Sequence, residues 1–385
     1  MSSPSTKNIL TFEQKAQILT SDAYDSAAHR NSIAPPIYQT VMFDLKTGAE
    51  RDQSYIYTSL GNPNFSIVEK KMAAVECGAA AKLFSTGMAA IHAVVFSLVG
   101  QGDHVIVSEN VYVGVKTLFQ QTVKRFGVSV TWVSGKADEI EAALRPNTKL
   151  IYLESPGSML FDIIDLATIG QIGKRHGAKL AIDNTWATPL YQNPLCYGFD
   201  VVIHSATKYL SGHNDVMGGV VIGSKKLVRQ LVSMGAVMDP HQAWLLGRSL
   251  VTLPVRMKQG AENAMTIARF LEAHPKVERI LYPGLPTHPE YTLGKRQMTG
   301  YSSLMSFIAK GSYEQTMNVL NRFKLIKPAW SYGGAMSLAM PGGKDLREQL
   351  IRRGYGQNLI RLYVGLENPS SLMEDLDDAL QVIAQ

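Results

Sequence analysis

An alternation constrains this chain more than any other feature. Short runs dense in aliphatic and β-branched residues ("DHVIVSE", "VSVTWVS", "TKLIYLES", "AKLAIDN", "FDVVIHSATKY") are separated by helix-like stretches such as "MAAIHAVVFSLV", "VYVGVKTLFQQTVKRFG" and "LATIGQIGKRHG". Strands joined by helical crossovers pair in parallel, since a tight turn joins only antiparallel neighbours. The runs are apolar from end to end, as expected when helices cover both faces of the sheet. "AKLFSTG" and "GGVVIGS" add two further strands. Past residue 247 the pattern changes: the helical "RMKQGAENAMTIARFLEAHP" precedes strand-like "SLMSFIA" and "NLIRLYVGLE". The expected architecture is α/β. A polar, extended N-terminal arm covers 1–58 and contains "APPIYQT". A large domain with a mostly parallel, helix-covered sheet covers 59–247, and a smaller α+β domain covers 248–385. The length of 385 residues agrees with more than one core.

Composition narrows the function classes. Apolar residues make up 45% of the chain and charged ones 18%, which excludes a disordered or fibrous protein. The net charge of +6 is scattered, with no run of five or more basic residues, so nucleic-acid binding is not expected while anionic ligands are. The most apolar run, "MAAIHAVVFSLVG", is too short to span a bilayer, and "MSSPSTKNILTFEQKAQILT" lacks the pattern of a secretory signal. The expected location is cytoplasmic, without membrane association. Cys77 and Cys196 have no metal-type spacing and read as isolated, inert thiols of a reducing compartment.

Ligands of open parallel sheets bind beyond the carboxyl ends of the strands. The segments after each apolar run are "STGM" (Ser85–Met88), "SENVY" (Ser108–Tyr112), "ESPGS" (Glu154–Ser158), "DNTW" (Asp183–Trp186) and "SATK" (Ser205–Lys208). Gly87 and Met88 open a helix after a strand, where free N–H groups and the helix dipole suit an anion; an ordinary strand-to-helix turn reads the same way. Asp183 ends a buried strand, either capping a turn or facing a cationic ring. Lys208 sits near the end of another, where a lysine is usually a surface residue. Strand alternation would point it away from Ser205 and Thr207, whereas a turn would bring all three together. No GxGxxG or GxxxxGK[ST] fingerprint is present, which removes a dinucleotide reductase or P-loop reading. Taken together, an amine able to condense with an aldehyde, an acid for a pyridinium nitrogen and a glycine-led anion site are the parts of a pyridoxal 5′-phosphate (PLP) site. Tyr112 adds an aromatic face for the ring.

"YIYTSLGNPN", "STGMAAI", "ESPGS", "DNTWATPL", "HSATKYLSGHNDVMGG", "YPGLPTHPEY", "SYGGAMSL" and "LIRLYVGLE" together resemble the Cys/Met-metabolism family of fold-type I PLP enzymes, from about residue 30 to the C-terminus. Within it, "LESPGS", "DNTWA" and "WSYGG" look most like the cystathionine β-lyases. The resemblance implies that Lys208 binds PLP covalently and then shuttles substrate protons. It implies that Asp183 keeps the pyridine nitrogen protonated, that Tyr112 stacks on the ring, and that Gly87, Met88, Ser205 and Thr207 hold the phosphate. Arg361 would grip the substrate α-carboxylate, with Ser331 and Ser158 close by. Tyr57 would reach in from a neighbouring subunit, making a dimer the minimum active unit and a tetramer the usual assembly.

Two departures from the family pattern stand out. Where the family carries an arginine that reaches the partner's phosphate, this chain has Ser59, which predicts weaker PLP retention unless Arg51 or another cation substitutes. Methionine γ-lyases tend to carry a cysteine two residues after the stacking tyrosine, and this chain has Gly114. The expected reaction is therefore α,β-elimination of L-cystathionine or a related S-substituted cysteine to pyruvate, ammonia and a thiol, within transsulfuration and methionine–cysteine metabolism. The alternatives are γ-elimination or γ-replacement, or, from another class, a non-catalytic binding protein on a PLP fold. Tyr55, Tyr332, Trp186 and the loop "MDPHQAW" are the expected walls for the leaving group.

Overall fold

The computed structural model describes residues 9–21, 26–44 and 55–383. Arg51, the expected substitute cation, lies outside them. The first seven strands are β1 (Ala80–Phe84), β2 (His104–Ser108), β3 (Ser129–Val133), β4 (Thr148–Glu154), β5 (Lys179–Asp183), β6 (Val201–Ser205) and β7 (Gly219–Gly223). They form one sheet in the order β1-β7-β6-β5-β4-β2-β3. Every pairing is parallel except those of β7, which runs against both β1 and β6. The continuous Val/Ile runs follow from this layering: Val105, Ile106 and Val107 of β2 and Val201, Val202 and Ile203 of β6 are all fully buried.

A second sheet contains β8 (Val277–Leu281), β9 (Leu304–Ala309), β10 (Lys327–Pro328), β11 (Leu338–Pro341) and β12 (Leu359–Tyr363), in the order β10-β11-β12-β9-β8. It is antiparallel apart from the short β10–β11 pair. A large, mostly parallel sheet with a smaller second one is the expected class. Among the described residues, no helix is long and apolar enough to cross a membrane.

The structure differs from the sequence reading in four places. "MDPHQAW" is no loop: Asp239 accepts from the backbone N–H groups of His241 and Gln242, and Pro240 opens a 34-residue helix running to Ala273. An acidic N-cap followed by proline is a helix-start signal, so the expected domain boundary at 247 falls inside a helix. "VYVGVKTLFQQTVKRFG" is not one regular helix, because a π-helical turn at Leu118–Thr122 separates Val113–Thr117 from Val123–Arg125. The arm is not extended throughout either. Phe12–Thr20 is a helix started by a Thr11–Gln14 capping box, and it buries Lys15 and Leu19 completely. Lys15 is tolerated there because its Nζ donates to Asn193 Oδ1 at 2.6 Å and to the Leu190 carbonyl at 3.3 Å. The cysteines are not isolated, since each lies close enough to shift the other's ionisation.

Candidate active site

Strands β1, β2, β4, β5 and β6 run in one direction, so their carboxyl ends share an edge, as the sequence suggested. A cavity of about 470 Å³ opens there. Gly87, Met88, Tyr112, Asp183, Ser205, Thr207 and Lys208 all line it, with Ser158 and Arg361.

Lys208 lies one turn beyond β6. The strand ends at Ser205, and the Lys208 N–H donates to the Ser205 carbonyl at 3.1 Å. That turn breaks the alternation, and Ser205, Thr207 and Lys208 all line the same cavity. Lys208 Nζ donates to Ser331 Oγ at 3.0 Å and lies 5.1 Å from the centre of the Tyr332 ring. Burial and then the Arg361 charge bring its pKa down to about 8. A lysine in that state supplies neutral amine near physiological pH, which a surface lysine does not.

Gly333 explains the "SYGG" motif. It adopts φ +94°, and a Cβ there would lie 2.5 Å from the Lys208 carbonyl carbon. Only glycine lets this turn press against the lysine's own backbone and bring Ser331 to the amine. Arg361 sits on β12, between Met340 of β11 and Ser306 of β9. It is 8% exposed and forms no ion pair among the described residues. Among the described residues its guanidinium meets Met159 Sδ at 3.9 Å and the Ser331 carbonyl at 3.5 Å, and lies 5.6 Å from the centre of the Tyr332 ring. A buried cation so poorly matched is poised for an anion from outside.

At the other end, Asp183 is 7% exposed, and its Oδ1 accepts from the Thr185 N–H at 2.9 Å and the Thr185 hydroxyl at 2.5 Å. It therefore caps its turn and also lines the cavity. Burial raises its pKa, while the Thr185 hydrogen bonds and His204 oppose the rise. The helix Gly87–Leu98 points its N-terminus into the cavity, with Thr86 as N-cap accepting from Ala89 N–H at 3.0 Å. A Cβ on Gly87 would lie 2.9 Å from both Ser205 Cβ and Oγ, so only glycine lets helix and strand end close into one cradle. The Thr207 hydroxyl is engaged with Gly218, donating to its carbonyl at 3.2 Å and accepting its N–H at 3.0 Å.

Glu154, at the end of β4, is a site residue to which sequence reasoning gave no role. Its Oε2 accepts from the Tyr112 N–H at 2.8 Å and so fixes the turn that presents the half-exposed Tyr112 ring. Burial, then Asp183 beside it, pushes its carboxyl well above the usual range. The strand-end rule marked this position. Met159, Met340, Leu346 and Trp330 add an apolar wall drawn largely from the C-terminal third. Of the expected walls only Tyr332 lines the cavity; Trp186 is buried, donating Nε1–H to the Leu304 carbonyl, and Tyr55 hydrogen-bonds Ser66. Tyr57 is on the outer surface, 45% exposed and bridged to Met42, outside its own chain's cavity, and Ser59 is exposed.

A cavity with an amine of lowered pKa, a buried acid and a glycine-tight helix N-terminus fits an aromatic aldehyde phosphate. The comparisons agree. The family model for Cys/Met metabolism PLP-dependent enzymes matches residues 16–381. The chain belongs to this family. Its relatives include an L-methionine γ-lyase of Fusobacterium nucleatum, 38% identical over 372 residues that cover 91% of this chain and 94% of the relative. A cystathionine γ-lyase of Bacillus subtilis is 39% identical over 363 residues, covering 91% and 95%. Among solved structures, cystathionine γ-synthase from Xanthomonas oryzae pv. oryzae, in complex with aminoacrylate and cysteine, superimposes with a TM-score of 0.90 at 31% identity, covering 96% of this chain and 98% of that one. PLP is the cofactor of this family member, and the protein is a PLP-dependent lyase of Cys/Met metabolism. The relatives named here are γ-enzymes, which favours the γ-elimination alternative over the β-elimination that the motifs suggested.

Proposed function

We propose that the protein catalyses α,γ-elimination on an L-amino acid carrying sulfur on its γ-carbon, such as L-cystathionine, releasing 2-oxobutyrate, ammonia and a thiol. The observation that carries this reading is the naming of relatives at 38–39% identity over more than nine-tenths of this chain, all γ-lyases, on a site that keeps the required groups. When bound, PLP supplies an electron sink for negative charge that develops beside the substrate's amino-bearing carbon.

Lys208 would hold the cofactor covalently, Asp183 would face its ring nitrogen, and Tyr112 would lie against the ring. The Gly87 and Met88 N–H groups, with Ser205 and Thr207, would take the phosphate. Arg361 receives the α-carboxylate as a two-pronged donor and orients the substrate towards Lys208. The Lys208 amine, once free, removes the Cα proton and then a Cβ proton, which γ-elimination needs and β-elimination does not. Ser331 Oγ steadies that amine, and the Tyr332 ring, 5.1 Å from Lys208 Nζ and 5.6 Å from the Arg361 guanidinium carbon, spaces base from carboxylate grip. Ser158 also lines the cavity. Tyr112 would protonate the leaving sulfur. Tyr57 acts in the cavity of a second copy, so the active unit is at least a dimer and assembles further to a tetramer.

β-Elimination stays as the second reading because of Gly114. A Cβ there would lie 2.7 Å from the Tyr112 ring and 2.9 Å from Met88 Sδ, so the cysteine typical of methionine γ-lyases does not fit this arrangement. Product analysis decides. L-cystathionine giving 2-oxobutyrate and cysteine supports the proposal, whereas pyruvate and homocysteine overturn it in favour of β-elimination.

A further inference from the structure

Two segments far apart in the chain press together outside the active site, and neither of their cysteines lines its cavity. The helix Pro63–Val75 ends at Glu76, and Cys77 follows with a left-handed φ of 59°. Cys196 lies in the short 3₁₀ turn Pro194–Tyr197. Asn193 Nδ2 donates to the Val75 carbonyl at 2.9 Å, and a Cβ on Gly78 would lie 3.2 Å from Leu195 Cδ1, so the segments are already in register. At their junction the two half-buried thiols lie close enough for each to shift the other's ionisation. The Leu10 backbone N–H also donates to Cys77, and the buried ammonium of Lys15, held by Asn193, favours negative charge on both sulfurs. Cys196, then Leu10 and Lys15, bring the Cys77 thiol down to about 7 against the opposing effects of burial and Glu76. Cys196 is pushed up, first by Cys77. One sulfur is thus an ionisable nucleophile near neutral pH and its neighbour a resolving thiol.

We propose that Cys77 and Cys196 form a redox-modification site, a thiol pair that low-molecular-weight disulfides convert into an intrachain disulfide. The Cys77 thiolate attacks one sulfur of the small disulfide; that S–S bond breaks and one small thiolate leaves. Cys196 gives its proton to the departing thiolate and attacks Cys77 Sγ, expelling the second small thiolate, which takes a proton from water. The protein pair is oxidised by two electrons, and the small disulfide is reduced to two thiols. The site borders the catalytic machinery, because Glu76, next to Cys77, accepts from Asn184 Nδ2 at 3.0 Å, and Asn184 follows Asp183.

The test treats the holoenzyme with oxidised glutathione and reads intact mass, free thiols and a non-reducing gel. Wild type ends two hydrogens lighter, without free thiol and at single-chain size. Cys196→Ser retains one glutathione on Cys77, and the pH midpoint of its capture moves above 7. Cys77→Ser reacts at least about tenfold more slowly at pH 7. Wild type that keeps both thiols, holds glutathione stably or cross-links between chains overturns the proposal, whether or not the serine variants fold.

Discussion

Replacing Arg361 separates what the fold needs from what the reaction needs. In the free protein the guanidinium is buried with only two contacts at the outer limit of hydrogen bonding, to Met159 Sδ and the Ser331 carbonyl. A substrate carboxylate would replace these with two charge-assisted bonds, each contributing about 1.5–3 kcal/mol. Arg361→Met should therefore raise the barrier for kcat/KM by about 3–6 kcal/mol, a loss of roughly 10²–10⁴-fold at about 1.4 kcal/mol per tenfold. Arg361→Lys keeps the charge without the fork and should lose about 10–10²-fold. Fold stability should move the other way: methionine fills similar volume and removes a desolvated charge, so thermal unfolding should be unchanged or later. The charge on Arg361 also helps to depress Lys208, so in Arg361→Met the amine should titrate above pH 8. Steady-state kinetics, calorimetry and pH-dependent amine labelling read the three effects. A variant that melts much earlier, binds substrate normally and leaves Lys208 at about 8 would refute the assignment of Arg361 to the carboxylate.

Four further outcomes are expected. In cofactor-free protein, capture of an aromatic aldehyde by Lys208 should rise with a midpoint near pH 8, against 10.5 for an ordinary lysine. Because the folded pKa lies below the unfolded one, charged Lys208 destabilises the fold fully below about pH 8 and the penalty disappears as pH rises towards 10.5; Lys208→Met should flatten unfolding free energy across that window. Gly87→Ala places a Cβ 2.9 Å from Ser205, so PLP affinity measured by absorbance titration should fall about tenfold or more while the fold persists. Ser59→Arg puts back the cation that the family resemblance expects here; in the proposed dimer it would face the second copy's phosphate and should slow PLP loss on dilution, and an unchanged rate would remove Ser59 from the cofactor argument.

The large sheet was legible because its signals are local and redundant. Apolar runs of the length of β2 or β6 can be covered only by helices, and the residues closing each run fall on one edge whatever the loops do. Lys208, Asp183 and Gly87 are found by that rule alone. Other features are fixed by contacts between distant segments. Lys15 looks like a surface residue until Asn193 and Leu190 are brought to it, and Cys77 meets Cys196 only because two loops are pinned through Asn193. Glu154 stood in a flagged segment, but its task, holding the Tyr112 backbone, depends on the distance between two strand ends.

The same distinction explains why motifs and relatives disagree about the reaction. "ESPGS" and "SYGG" are short words set by the cofactor's surroundings: Glu154 anchors Tyr112, and Gly333 seats Ser331 against Lys208. Those tasks are common to β- and γ-elimination, since both begin with the same carboxylate grip and the same Cα proton, so such words discriminate poorly between them. What differs is how far along the side chain Lys208 must work and what wall the departing sulfur meets. On the proposed reading that wall would be drawn from Met340, Leu346 and Trp330, cavity-lining residues dispersed through the C-terminal third that compose no motif. Likeness over the whole chain samples them and local likeness does not, which is why the γ-lyase relatives outweigh the β-lyase motifs here.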